Sequence, residues 1–257
     1  MAMLPSDAFR DRVCVVTGGT SGIGKGIALG LARLGGTVVV LGRNQDRIDA
    51  TLDEAAGLAV HALPLDVRVR ADVERVFAEV TATHGVPTAL VNAAAGNFRC
   101  APEELSPNGW AAITDIVLDG TWHCTQVFAR GLLAAGLPGA VVSIGSSKAH
   151  TGGADTVPSA AAKAGVVAVT KSLAAAWGGR GIRLNIVSPG VTAGTGAIEQ
   201  LFAAPGSLET DLAKVPLGRH TTLEEIVDAV SYLLSDYASG TTGAELSLDG
   251  GRSLGIG

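Results

Sequence analysis

Tyrosine, aromatic residues in general and charged side chains are scarce in this sequence. Aromatic residues make up 4% of the 257 residues, and the two tyrosines, Tyr232 and Tyr237, both lie near the carboxyl end. A phenolic proton donor is therefore excluded from all positions before residue 232. Charged residues make up 17% of the chain, the net charge is −5, and no run rich in Lys or Arg occurs. These values argue against an extended surface for nucleic acid or anionic membranes, so we expect a small-molecule partner.

Cysteine is scarce as well, and long apolar runs are missing. The three cysteines, Cys14, Cys100 and Cys124, show neither Cys-x-x-Cys nor Cys/His spacing, so we expect buried, reduced thiols and no metal site. No apolar run approaches the roughly 18 residues of a membrane span, and the first residues lack the apolar stretch of a signal peptide. We therefore expect a cytoplasmic protein without a membrane segment.

The chain alternates short apolar runs with stretches long enough for helices. The runs lie at residues 12–17, 37–41, 58–65, 88–92, 140–144, 184–187 and 244–248, and the longest helix candidates span 107–133 and 159–178. This repeated spacing predicts an α/β fold: a doubly wound parallel sheet of the Rossmann type with helices on both faces. The length suits a single domain over residues 1–257.

Residues 192–215 break this rhythm. They contain two weak helical patterns around Pro205 and Gly206, late in the chain and close to the expected ligand crevice. We predict that this segment is a substrate lid, although its length fits a plain surface insertion equally well.

A glycine-rich turn follows the first predicted strand and opens a helix. Gly18, Gly22 and Gly24 are spaced as Gly-x-x-x-Gly-x-Gly within residues 17–24, which read TGGTSGIG. Glycine is needed where a dinucleotide pyrophosphate approaches the backbone and the N–H groups of a helix N-terminus. Many tight turns are rich in glycine, but after the first strand of a βαβ unit this spacing predicts a dinucleotide site.

The end of the second predicted strand bears on the choice of cofactor. A site that prefers NAD usually has an acidic residue there to bind the ribose hydroxyls, but this chain has Arg43. An acidic residue would repel a 2′-phosphate, whereas an arginine binds one through charge-assisted hydrogen bonds. We therefore predict NADP(H) as the cofactor.

Several further segments, taken with the glycine turn, resemble the short-chain dehydrogenase/reductase family. They are residues 92–96 (NAAAG), 188–190 (SPG) and 249–251 (DGG), so the resemblance covers essentially the whole chain. It implies that Asp66 accepts a hydrogen bond from the adenine amine, although an acid at a strand end is also a common helix N-cap. The cofactor-binding residues that we predict are Gly18, Thr20, Ser21, Gly22, Ile23, Gly24, Arg43, Asp66, Val67, Asn92, Ala93, Ala94, Lys163, Pro189, Gly190 and Val191.

The family's Tyr-x-x-x-Lys motif is altered in this chain. Residues 158–165 read PSAAAKAG, so Ser159 stands where the catalytic tyrosine is expected and Lys163 where the lysine is. In the family's carbonyl reducers the tyrosine donates a proton to the carbonyl oxygen. Serine is a far weaker acid with a shorter side chain, so ketone reduction loses its proton donor. Reduction of a conjugated thioester needs only hydrogen-bond donors for an enolate oxygen and a route for a proton to carbon.

Four segments sharpen the resemblance toward the 2,4-dienoyl-CoA reductases, which also have serine before x-x-x-Lys. These segments are residues 93–98, 105–110, 113–121 and 157–166. The resemblance implies a homotetramer that reduces an acyl-CoA with NADPH in fatty-acid degradation. It also implies that Lys163 binds the nicotinamide ribose hydroxyls, that Ser159 joins the adjacent hydrogen-bond network, and that Ser146 is the active-site serine after the fifth strand.

Two positions depart from that family's pattern. Lys148 stands where the mitochondrial-type enzymes have a tyrosine that binds the thioester carbonyl, eleven residues before Ser159. As an ammonium it would stabilise an enolate oxygen, but a solvated loop lysine is an equally good interpretation. Asp119 stands where those enzymes have an asparagine that positions the substrate, and a carboxylate accepts rather than donates. Asn97 and Phe98 are predicted to border the substrate entrance, unless Phe98 is a core aromatic.

Two other functions fit the same residues. Residues 249–254 (DGGRSL) also resemble the trans-2-enoyl-CoA reductases. A protein that binds NADP(H) without turnover is the alternative from another class, because loss of the phenol would leave the cofactor site intact.

Overall fold

The computed structural model describes residues 4–193, residue 195 and residues 206–255. Within these residues seven strands form one parallel sheet: β1 (Val13–Thr17), β2 (Thr37–Gly42), β3 (Val60–Pro64), β4 (Ala89–Asn92), β5 (Gly139–Ile144), β6 (Ile182–Pro189) and β9 (Glu245–Leu248). Their order is β3-β2-β1-β4-β5-β6-β9. Because the order reverses between β1 and β4, a crevice opens at the carboxyl ends of these strands. The predicted parallel α/β sheet is confirmed.

Helices cover both faces of the sheet. The described α-helices are α1 (Gly22–Arg33), α2 (Gln45–Glu54), α3 (Arg70–His84), α4 (Pro107–Thr114), α5 (Gly120–Ala135), α6 (Lys148–Thr151), α7 (Val157–Trp177), α8 (Ser207–Leu212) and α9 (Leu223–Leu234). Single 3-10 turns lie at Pro102–Glu104, Gly178–Arg180, Asp236–Ala238 and Arg252–Leu254. One core cluster joins α1 and α9 to the sheet through Leu31 and Ile226, and a second joins α3 and α5 through Phe77 and Phe128. Burial of these apolar side chains is the main force that holds the layers together.

The predicted helix over residues 107–133 is interrupted. A π-helical segment, Asp115–Asp119, separates α4 from α5, and Thr121 Oγ1 donates to Val117 O at 2.7 Å beside it. At the start of α5, a Cβ on Gly120 would lie 2.5 Å from Val67 Cγ2, so glycine allows this helix to approach the loop after β3. The apolar spacing of the sequence does not distinguish one inserted residue from a regular helix, which is why the interruption was not predicted.

Only part of the predicted lid lies within the described residues. Its first residues form β7 (Thr192–Ala193), which pairs with β8 (Thr221–Thr222), and its later part contains α8. Asp211 on α8 contacts His220 at 2.9 Å and Arg252 at 2.6 Å, so both partners tie this helix to the rest of the fold. Residues 194 and 196–205 lie outside the described residues, and the lid function remains a prediction.

Two of the three cysteines are buried, as expected. Cys14 and Cys124 are fully buried, which raises the pKa of each thiol to about 12. A thiol with such a pKa remains protonated at neutral pH and is therefore a poor nucleophile. Cys100 is partly exposed, so the expectation of burial is wrong for this residue. In the described part of the chain, no helix has the length and apolar character needed to cross a membrane.

Candidate active site

The glycine turn packs directly against the end of β4. A Cβ on Gly18 would lie 2.8 Å from Ala94 N, and one on Gly24 would lie 2.3 Å from Gly18 O, so larger residues are excluded at both positions. Gly22 has φ +51°, and no described atom lies within 4 Å of the place where its Cβ would stand. Positive φ and a close approach are the conditions that require glycine. The turn therefore presents bare backbone to the crevice beside the start of α1.

The N-terminus of α1 is available to an anion. Ser21 is the N-cap, and within the described chain its side chain makes no capping hydrogen bond. Ile23 follows as the second residue of the helix. The first N–H groups of a helix carry a partial positive charge and bind phosphate readily. The turn and the helix start thus fit the pyrophosphate of a dinucleotide cofactor.

The end of β4 is held by two buried polar side chains. Thr17 Oγ1 accepts hydrogen bonds from Ala93 N and Ala94 N, each at 3.2 Å. Asn92 is buried, and its Nδ2 donates to Thr125 Oγ1 at 2.9 Å. The Asn92 side chain therefore joins β4 to α5, and its predicted contact with the cofactor remains a prediction. The roles of Thr17 and Thr125 were not predicted, because a polar residue inside an apolar run gives no sign of its partner.

A cleft at the carboxyl ends of β1, β2 and β3 contains many of the predicted cofactor residues. It is lined by Gly18, Thr20, Ser21, Leu41, Gly42, Arg43, Asn44, Arg47, Leu65, Asp66, Val67, Ala94, Ala95 and Ile116. Arg47 was not predicted, although the sequence contains a signal: asparagine is a favoured helix N-cap, and Asn44 lies three residues before Arg47. In the structure Asn44 caps α2 by accepting from Arg47 N at 2.8 Å, which places Arg47 in the first turn. Arg43 and Arg47 give this cleft two cationic side chains, which suits a 2′-phosphate.

Asp66 has protein partners in this cleft. Its carboxylate accepts from Arg68 Nε at 2.9 Å and lies 3.8 Å from Arg43 Nη1. The hydrogen bond from Arg68 is the largest cause that lowers the pKa of Asp66, and the charge of Arg43 adds to it. The N-cap of α3 is Val69 rather than Asp66, so the N-cap interpretation is wrong. The contact of Asp66 with adenine remains a prediction.

Lys163 is buried on α7 with its ammonium directed at the end of β5. Lys163 Nζ donates to Ile144 O, and burial lowers the pKa of Lys163 to about 8. At neutral pH the side chain is therefore still mostly protonated. Ser159 is half-buried one turn earlier on the same helix, and residues four apart share a helix face. The structure thus brings Lys163 to the strand end that leads to Ser146, with Ser159 one turn away on the same helix.

Lys148 is held close to the start of α7. Its backbone N donates to Ser146 Oγ at 3.3 Å, and its Nζ donates to Thr156 Oγ1 at 2.9 Å. Thr156 is buried, and Lys148 itself is half-buried. Lys148 is therefore not a solvated loop lysine. The hydrogen bond from its backbone N also keeps Ser146 beside it. Thr156 was not predicted, because its partner lies in another element.

A second polar network fixes the segment that contains Lys148. Glu245, the first residue of β9, accepts from Ser188 Oγ at 2.6 Å, and its other oxygen lies 2.8 Å from His150 Nε2. Ser188 is buried, and a Cβ on Gly145 would lie 2.2 Å from its Oγ, so glycine is required before Ser146. The order Ser-Glu-His differs from that of a nucleophile triad, in which the histidine is central. The network therefore anchors α6 to the sheet.

The remaining residues predicted for the substrate side are all exposed. Asp119 is exposed at the end of the π segment. Phe98 is 38% exposed and packs over Gly109, so it is not a core aromatic. Asn97 is exposed in the same loop, which runs beside the start of α7 because Cys100 N donates to Asp155 O at 2.9 Å.

At the end of β6, Pro189 and the two residues that follow, Gly190 and Val191, are only half-buried. Gly190 N donates to Leu248 O at 2.9 Å, which ties this turn to β9. Among the residues that the structure describes, no group of three or more His, Cys, Asp or Glu could hold a metal ion.

Comparison with known proteins agrees with this geometry. A family model described as Enoyl-(Acyl carrier protein) reductase matches residues 18–253. A Bacillus subtilis (strain 168) protein named probable 2,4-dienoyl-CoA reductase, (2E)-enoyl-CoA-producing, is 40% identical over 95% of this chain and 97% of its own. The peroxisomal 2,4-dienoyl-CoA reductase, (3E)-enoyl-CoA-producing, of Pongo abelii is 36% identical over 96% and 86%. A gluconate 5-dehydrogenase from Burkholderia cenocepacia J2315, solved with NADP and tartrate, has a TM-score of 0.89 and 28% identity over 98% and 99%.

Proposed function

This chain belongs to the short-chain dehydrogenase/reductase family, and we propose that it is an NADPH-dependent reductase of conjugated acyl-CoA thioesters. The preferred substrate in this proposal is a 2,4-dienoyl-CoA, and the reaction belongs to fatty-acid degradation. One observation carries the proposal: Ser159 stands in place of the family's tyrosine. It lies on α7, the same helix that contains the buried Lys163. The names of the relatives from Bacillus subtilis and Pongo abelii support the choice of substrate.

The cleft fits NADP(H) on three grounds. The glycine turn leaves room for a pyrophosphate, the uncapped start of α1 offers N–H donors, and Arg43 with Arg47 offers cations for a 2′-phosphate. Asp66 and Val67 line the part of the cleft proposed for adenine. When bound, the cofactor would supply a hydride, and Lys163 would bind the nicotinamide ribose hydroxyls. The residues that we propose for the pyrophosphate are Gly18, Thr20, Ser21, Gly22, Ile23 and Gly24.

The active-site residues suit charge that develops on a thioester oxygen. Addition of hydride to a conjugated acyl-CoA moves negative charge to that oxygen as an enolate, and donors placed there lower the barrier. We propose that Lys148 and Ser146 are these donors. Lys148 is already ordered by Thr156 and brings a positive charge, which strengthens a hydrogen bond to an oxyanion. In this proposal Asp119, Asn97 and Phe98 line the substrate side, and a proton from solvent completes the reduction at carbon.

A 2-enoyl thioester reductase is the second candidate. Two observations favour it: the family model is described as Enoyl-(Acyl carrier protein) reductase, and residues 249–254 resemble trans-2-enoyl-CoA reductases. The same donors would serve this reaction, because its transition state also places charge on the thioester oxygen. The two functions differ only in the length of the conjugated system.

Steady-state oxidation of NADPH by the purified protein tests the proposal. The assay compares a 2,4-dienoyl-CoA, a 2-enoyl-CoA and an unactivated ketone over the same range of concentrations. We expect the largest kcat/KM for the dienoyl-CoA and negligible ketone reduction. Faster reduction of the enoyl-CoA would favour the second candidate. Robust ketone reduction would contradict the argument from Ser159, and tight NADPH binding without turnover of any substrate would indicate a non-catalytic protein.

We also propose that the protein is a cytoplasmic homotetramer of single-domain subunits in which residues 192–215 form the substrate lid. The bacterial relative supports the location, whereas the name of the Pongo abelii relative places that protein in peroxisomes. Sedimentation analysis of the full chain tests the assembly, because a monomer and a tetramer differ fourfold in mass.

A further inference from the structure

The loop after β3 is supported from two directions. Asp66 N donates to Asp72 Oδ2 on α3 at 3.1 Å. The next residue, Val67, is buried, and its carbonyl oxygen accepts from His123 Nδ1 on α5 at 3.0 Å. A carbonyl oxygen only accepts, so Nδ1 must carry a proton, which holds for one neutral tautomer and for the imidazolium. The backbone of this loop is thus fixed by one side chain from each of two helices.

The same helix α5 also fixes the side chain of Val67. A Cβ on Gly120 would lie 2.5 Å from Val67 Cγ2 and 2.9 Å from Val67 Cβ, so the valine lies against bare helix backbone. Val67 in turn lines the nucleotide cleft together with Ile116 of the π segment. Any shift of Val67 away from α5 would therefore change the wall of the cleft.

We propose that His123 is a positioning residue for the adenosine half of the cofactor. It acts through Val67: the hydrogen bond to Val67 O and the contact with Gly120 hold the cleft wall in the form that adenine meets. His123 does not line the cleft itself, and it is half-buried beside the carbonyl oxygen of Val67. The inference rests on the proposed NADP(H) site, and it adds a residue of α5 to that site.

Three single variants separate this role from a general effect on folding. His123→Leu removes the donor, His123→Asn keeps an N–H close to the Nδ1 position, and Gly120→Ala pushes Val67 toward the cleft. Isothermal titration gives Kd for NADPH and for adenosine 2′,5′-bisphosphate, which contains only the adenosine half. We expect His123→Leu to weaken both ligands by about threefold to tenfold, the range that one hydrogen bond supports. His123→Asn should recover most of this loss, and Gly120→Ala should weaken both ligands at least as much.

Hydrogen exchange in the ligand-free protein provides a readout independent of the cofactor. We expect faster exchange of the backbone amides of residues 66–69 in His123→Leu, and near-normal exchange in His123→Asn. Unchanged Kd values for both ligands in a folded His123→Leu protein would overturn the inference, whether or not the exchange rates change. Loss of NADPH binding with normal binding of adenosine 2′,5′-bisphosphate would also overturn it, because the defect would then lie elsewhere. An unmodified protein that binds neither ligand would refute the cofactor proposal as well.

Discussion

The buried ammonium of Lys163 makes the stability of this protein depend on pH in a way that one substitution can isolate. Burial lowers the pKa of Lys163 from 10.5 to about 8. Between these two pH values the unfolded chain holds a proton that the folded protein has released, so the free energy of unfolding increases as the pH rises. Below about pH 8 both states are protonated, and the cost of burying the charge is present in full.

The size of the effect follows from the pKa difference. Each pKa unit corresponds to about 1.4 kcal/mol, so the unmodified protein should gain about 2–3 kcal/mol from this group between roughly pH 7 and pH 10. Lys163→Met keeps the unbranched shape and most of the length of the side chain but has no proton to release, so this gain disappears. Other titrating groups are common to both proteins and cancel in the difference. At neutral pH the variant should be at least as stable as the parent, because it no longer buries a charge.

Urea unfolding of both proteins without cofactor, at several pH values over this range, measures the difference directly. Lys171→Met is the matched control, because Lys171 is exposed on the same helix and its loss should change stability by less than about 0.5 kcal/mol throughout. The result that would refute the reasoning is a difference between the parent and Lys163→Met that stays constant from neutral to alkaline pH.

Three further predictions concern the cofactor and substrate sites. Arg43→Ala should bring Kd for NADPH close to Kd for NADH, because it removes charge-assisted hydrogen bonds worth about 1.5–3 kcal/mol. Equal affinities of the parent protein for the two cofactors would contradict the preference for NADPH. Lys148→Met should lower kcat on a dienoyl-CoA at least about tenfold, which corresponds to an increase of about 1.4 kcal/mol in the activation free energy. Kd for NADPH should stay unchanged, and full activity of the variant would exclude Lys148 from the chemistry. Glu245→Ala should increase the labelling of Lys148 by an amine-reactive reagent, measured by mass spectrometry, because α6 loses the contact of His150 with β9. Glu245→Gln should restore protection, and equal labelling in all three proteins would show that the network does not hold α6.

Much of the fold and several site residues could be read from local sequence patterns. The apolar runs located the seven strands of the parallel sheet. Central strands are buried on both faces and so require continuous apolar residues, whereas the edge strands β3 and β9 are partly exposed. The spacing of Gly18, Gly22 and Gly24 predicted a turn whose packing excludes a Cβ at Gly18 and Gly24. The interval between Ser159 and Lys163 placed them one turn apart on a helix. Each of these features depends on residues close together in the chain.

Only the tertiary structure determined which distant residues meet. His123 reaches Val67 across 56 positions, and Glu245 reaches His150 across 95. Only in the folded chain does Lys148 Nζ donate to Thr156 Oγ1. The structure also shows that Asp66 pairs with Arg68 and is not the N-cap of α3. The physical reason is that periodicity and glycine spacing report local backbone geometry. A hydrogen bond between elements depends instead on how helices pack against the sheet, and many side chains far apart in sequence set that packing together.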